Sequence, residues 1–102
     1  MQGMDIGSYL RERRGRAQEV ARRMQVSGSL VVQWGGGKPV AIERCPDLEL
    51  ATDGCVPCEH ARPDIAWLRW ADPAWPYHPD GRPLIDVSRS IAANQPEARH
   101  AA

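Results

Sequence analysis

The sequence predicts an all-α fold: one compact domain of four to five helices, followed by a proline-rich, partly extended C-terminal arm. Three observations predict it. Apolar residues recur at helical spacing from Ile6 to Ala51. Glycine and serine divide that stretch into short segments. Beyond Asp72 come Pro73, Pro76, Pro79 and Pro83 with the turn sequence HPDG at 78–81, which precludes regular helix there.

A chain of 102 residues is the size of one ordinary domain. Hydrophobic residues at 42% and charged residues at 25% match globular averages and argue against a disordered or membrane class. The apolar-leaning stretch from Val26 to Trp34 is far shorter than a membrane span, and the N-terminus carries no secretory pattern. A cytoplasmic protein without membrane contact is expected. The net charge of +0 hides an asymmetry, because residues 1–44 carry +4 and residues 45–102 carry −4. The N-terminal half is therefore the half compatible with a polyanionic partner.

Ile6, Tyr9 and Leu10 share one face of a first helix, expected over 4–14, with Asp5 near its start and Gly15 past its end. Ala17, Val20, Ala21 and Met24 follow the i, i+3, i+4, i+7 pattern of a second helix over 17–24, with Gln18, Glu19, Arg22 and Arg23 opposite. Ser27 suits an N-cap for a third helix over 28–35 that buries Leu30, Val31 and Trp34, and Gly35, Gly36 and Gly37 end it. A fourth helix over 42–52 buries Cys45, Leu48 and Ala51, with Pro46 in its first turn, where amides are unpaired. Asp53-Gly54 stops it. DIAWLRW, 64–70, is expected to form one or two turns whose Ile65, Leu68 and a tryptophan cover the core's edge. RPLIDV, 82–87, reads as a short strand or extended arm and, as an unpaired strand, as an oligomer contact. The expected division is a helical domain over 1–72, the arm over 73–91 and a disordered tail over 92–102.

Two short helices joined by Gln25, Val26 and Ser27 have the dimensions of a helix-turn-helix, whose second helix lies in the DNA major groove. Ala21 is small where the third helix must cross. Val26, Val31 and Trp34 give that helix an apolar underside, and the tryptophan is expected in the core.

The ordered stretches AQEVARRMQVSGSLVVQWGGGKPVAIERCPDLELATDG and CEHARPDI, within about Tyr9 to Trp70, resemble the Cro-like, YdaS-type antitoxin family of bacterial and prophage helix-turn-helix regulators. The resemblance implies a lambda-repressor-like domain and a repressor or antitoxin that represses its own operon, with a cognate toxin as a possible partner. By position it implies Gly28, Ser29, Val32 and Gln33 as base readers. Glutamine can pair with adenine, serine can address several bases and valine can meet a thymine methyl. Gln18, Ser27, Lys38 and Arg44 suit phosphate contacts, which set register; Arg16, Arg22 and Arg23 are weaker candidates. Gln25 stands where such proteins commonly carry glycine, and a left-handed backbone there costs about 1 kcal/mol.

Cys45, Cys55, Cys58 and His60 contain one CxxC pair and the four ligands zinc needs. The second CxxC pair is absent and Cys45 sits on a buried helical face, so neither a metal nor another cofactor is expected. Free thiols fit a reducing compartment. No nucleophile, base and orienting group occur together, and no phosphate-cradling motif is present, so no enzyme is expected. The expected function is a sequence-specific transcriptional regulator that binds double-stranded DNA as a homodimer or higher homo-oligomer. Its alternative is a protein-interaction adaptor, or an antitoxin acting mainly on a partner protein through the C-terminal arm.

Overall fold

In the computed structural model, which describes residues 3–86, five α-helices and a two-stranded antiparallel sheet are formed. The Asp5 carboxylate starts α1 (Ile6–Arg11) by accepting the Ser8 N–H at 3.1 Å and the Ser8 hydroxyl at 2.7 Å, as an N-cap does. Those bonds hold its carboxyl below the ordinary aspartate value. α1 is shorter than the 4–14 expected. Arg16 closes the turn that follows, donating to the Tyr9 carbonyl at 3.0 Å and lying 4.1 Å from the Tyr9 ring centroid.

α2 (Arg16–Met24) and α3 (Gly28–Gly35) follow the apolar pattern of the sequence. Val20, Ala21, Val31 and Trp34 are all buried, and Ala17, Met24, Val26 and Leu30 pack around them. Ser27 caps α3, its Oγ accepting the Leu30 N–H at 3.1 Å. Gln25 does adopt the left-handed conformation, with φ 60° and ψ 45°. The Val26 N–H then reaches the Ala21 carbonyl and the Gln25 N–H the Arg22 carbonyl, the paired bonds of a Schellman turn.

The fourth helix of the sequence reading divides into a 3-10 turn at Ile42–Arg44 and α4 (Cys45–Ala51), with Pro46 in the first α-turn. Cys45, Leu48 and Ala51 are buried as expected. α5 (Cys58–Ala61) is a single turn. None of these helices is long and apolar enough to cross a membrane.

The all-α expectation is corrected by the sheet. Trp67–Trp70 is a strand, β1, and not the helical turns expected for DIAWLRW; it pairs antiparallel with β2 (Arg82–Ile85). Trp, Leu and Trp are good strand formers, and pairing across the proline-rich turn settles their state. Leu68 accordingly points outward instead of covering the core, whereas Ile65 is buried as expected. Asp86 N–H donates to the Ala66 carbonyl at 2.8 Å, so the opposed pairs alternate from there and Pro83 falls where its missing donor would face the free edge. β2 is thus already paired on one side and short of a donor on the other. The tail over 92–102 lies outside the described residues.

A charged residue anchors the sheet to the helices. Glu49 of α4 is fully buried, and its two oxygens take the Arg69 guanidinium at 2.7 and 2.8 Å, the Trp75 indole N–H at 2.7 Å and the Cys58 amide at 3.0 Å. Arg69 also binds Glu59 at 2.6 and 3.0 Å and the Gly81 carbonyl at 2.9 Å. Burial pushes the Glu49 carboxyl up, but these donors outweigh it and hold it below the ordinary glutamate value.

Candidate functional site

The candidate site lies on the outward face of α3. Ser29, Val32 and Gln33 occur at i, i+3 and i+4 and therefore share one face, and all three are exposed. Behind them Val31 and Trp34 are buried against α1 and α2. The apolar underside fixes the helix, and the outer face is free of packing duties.

Gly28 opens α3 beneath Gln18. A Cβ on Gly28 would lie 2.8 Å from the Gln18 carboxamide nitrogen, so the absence of a side chain admits Gln18 to the start of the helix. Ser27 is exposed, but its hydroxyl already accepts the capping hydrogen bond. At the other end the Gly37 N–H donates to the Trp34 carbonyl at 3.1 Å and the Lys38 N–H to the Gln33 carbonyl at 3.0 Å. This second Schellman turn uses the positive φ of Gly37, 114°, which an L side chain would resist. It returns Lys38 to Gln33, whose Oε1 accepts from the lysine ammonium at 3.0 Å.

The sequence-predicted residues therefore fall into three groups. Gly28, Gln18 and the capping Ser27 meet at the N-terminus of α3; Ser29, Val32, Gln33 and Lys38 form its outer face and C-terminal end. Arg44, in the 3-10 turn, is joined to none of them by a hydrogen bond. Of the weaker candidates, Arg16 is committed to Tyr9 and Glu12, and Arg23 to the Ala51 carbonyl, Glu19 and Asp53. Among the described residues, the exposed Arg22 side chain makes no hydrogen bond or ion pair, and neither does that of Arg14, which the sequence pattern did not single out. The Lys38 link was also missed. Its signal was a lysine one residue after the glycine that ends a helix.

The cysteines lie apart from this face. Cys45 and Cys58 are buried, and burial pushes the Cys45 thiol up to about 11 and that of Cys58 higher still. Both are therefore protonated thiols at neutral pH. Among the described residues, no three His, Cys, Asp or Glu side chains are grouped as a metal site would require.

Residues 10–70 match the model of a protein family described as bacterial toxin YdaS. That segment runs from the end of α1 to the last residue of β1, and includes α2 and α3 whole. A protein of Escherichia coli strain K12 named "Putative transcriptional regulator YdaS" is 49% identical over 49 residues, which are 47% of this chain and 50% of the relative. The chain thus spans about half the length of the curated relative it matches. No solved structure gives a significant match. With three-fifths of its length inside the family model, the chain belongs to the YdaS family.

Proposed function

We propose that this chain is a sequence-specific transcriptional regulator in which α2 and α3 act as a helix-turn-helix and α3 enters the major groove of operator DNA. The observation that carries the reading is the outer face of α3. Ser29, Val32 and Gln33 stand exposed on a helix fixed at both ends and packed from behind. Side chains of this size and chemistry suit base edges. The left-handed turn at Gln25, the cationic surplus of residues 1–44 and the regulator name of the relative support it. Gln18, Ser27 and Arg44 serve as backbone contacts, joined by the exposed Arg22.

The regulator acts as a homodimer on half-sites about 34 Å apart. The dimer contact is the outer face of the β1–β2 hairpin, where Leu68, Leu84 and Trp70 are exposed. That apolar surface also favours the second reading, a protein partner gripped through the hairpin. The family description as a toxin, where the sequence resemblance implied an antitoxin, leaves such a partner a toxin or its neutraliser.

Fluorescence anisotropy with the duplex upstream of the gene, at several salt concentrations, tests the first reading. Gln33→Ala is expected to lose about 1–3 kcal/mol on the cognate site alone. Equal, weak binding to every duplex would exclude it in favour of the second.

A further inference from the structure

Gln33 and Lys38 are joined twice, once through the backbone and once through their side chains. The Schellman turn at Gly37 brings the Lys38 N–H to the Gln33 carbonyl, and the Lys38 ammonium donates to Gln33 Oε1, each at 3.0 Å. An ammonium has donors only. The carboxamide must therefore turn its oxygen toward Lys38 and its nitrogen away. What the pair presents outward is chiefly donors, the amide N–H2 and the remaining ammonium hydrogens, beside an oxygen whose second lone pair sits against the lysine charge.

That arrangement distinguishes purines. The major-groove edge of guanine offers two acceptors, O6 and N7, whereas adenine offers the N7 acceptor beside the N6 amino donor. A glutamine pairs with adenine by using its oxygen and nitrogen together. With the oxygen held by a cation, an approaching amino group meets another donor and a positive charge. Resting on the reading of α3 as a major-groove helix, we propose that Lys38 is a positioning residue. It fixes Gln33 as a hydrogen-bond donor, so that the two side chains together select guanine in the operator half-site.

The role of Lys38 is then different from a phosphate contact, and the two make opposite forecasts. A lysine on the backbone strengthens binding to every sequence alike. A lysine that holds the Gln33 oxygen changes which base is preferred. Lys38 is exposed, so its replacement leaves the fold intact.

The experiment begins with enrichment of a randomised duplex pool by the full-length protein. The position whose identity responds to Gln33→Ala is then set to G·C or A·T, and both duplexes are titrated by anisotropy. The wild type is expected to favour guanine about tenfold. Lys38→Arg keeps that preference, and Lys38→Ala abolishes it or turns it toward adenine. Wild-type preference for adenine, or an equal loss on both duplexes with Lys38→Ala, would overturn this proposal and leave α3 as the reading helix. A pool that yields no sequence preference at all would remove both.

Discussion

Arg69 and Glu49 form a two-pronged ion pair, 2.7 and 2.8 Å between guanidinium nitrogens and carboxylate oxygens, with the glutamate wholly out of solvent. It ties the second residue from the end of β1 to the middle of α4. The hairpin is thereby held to the helices by a charge that has nowhere else to go. A buried pair of this kind adds little net stability compared with an apolar replacement, but losing one partner strands the other.

Arg69→Met is therefore expected to cost about 3–5 kcal/mol, read by urea denaturation, because Glu49 keeps its charge without a counterion. Replacing both residues, Arg69→Met with Glu49→Met, recovers most of that loss. If the single variant is as stable as the wild type, the pair does not anchor the hairpin.

The same network sets the acid limit. Glu49 and Glu59 are each pushed up by burial and pulled down further by Arg69, so both titrate lower in the folded chain than their ordinary value of 4.5. Their contribution is complete above that value and fades as pH falls through the folded range. Stability measured from pH 6 to pH 3 is expected to fall steeply in the wild type and less steeply in the Arg69→Met, Glu49→Met protein. Parallel curves would refute it.

Gln25 and Gly37 make a contrasting pair of left-handed residues, at φ 60° and 114°. Gln25→Gly relieves a Cβ penalty of about 1 kcal/mol and returns part of it as unfolded-chain entropy, so a gain of up to about 1 kcal/mol is expected. Gly37→Ala is expected to destabilise by about 1 kcal/mol or more. It should also displace Lys38 from Gln33, visible as altered side-chain amide shifts by NMR.

Gly81, immediately before β2, has φ 106°, and a Cβ there would strike the Trp70 carbonyl oxygen. Gly81→Ala is expected to cost about 2–3 kcal/mol and to loosen the hairpin, seen as faster amide exchange at Leu68 and Leu84. Protection equal to the wild type would contradict the close approach.

Trp70 is 66% exposed, so Trp70→Ser should change monomer stability by no more than about 0.5 kcal/mol. Its effect is expected in solution mass instead, measured by light scattering, where loss of the dimer supports the hairpin contact. An unchanged dimer would move that contact elsewhere.

The sequence by itself determined α2 and α3, because everything that defines them is local. The apolar stripe from Ala17 to Met24, the Ser27 cap and the Gly36-Gly37 stop all act within a few residues, and the resemblance to the YdaS family rests on the same stretch. It also placed Val31 and Trp34 in the core and marked Gln25 as the turn residue under strain. Tertiary structure alone decided the sheet and the charged core beneath it. WLRW could be a turn or a strand until β2 arrived twelve residues later, and pairing between segments of weak preference outweighs propensity. Glu49 falls on the buried stripe of α4, at i+4 from Cys45, which is the trace it leaves in the sequence. Its partners, Cys58, Arg69 and Trp75, stand nine, twenty and twenty-six residues away, and no local pattern names them. Lys38, five residues from Gln33, read as a phosphate contact until the folded turn at Gly37 laid it against that side chain.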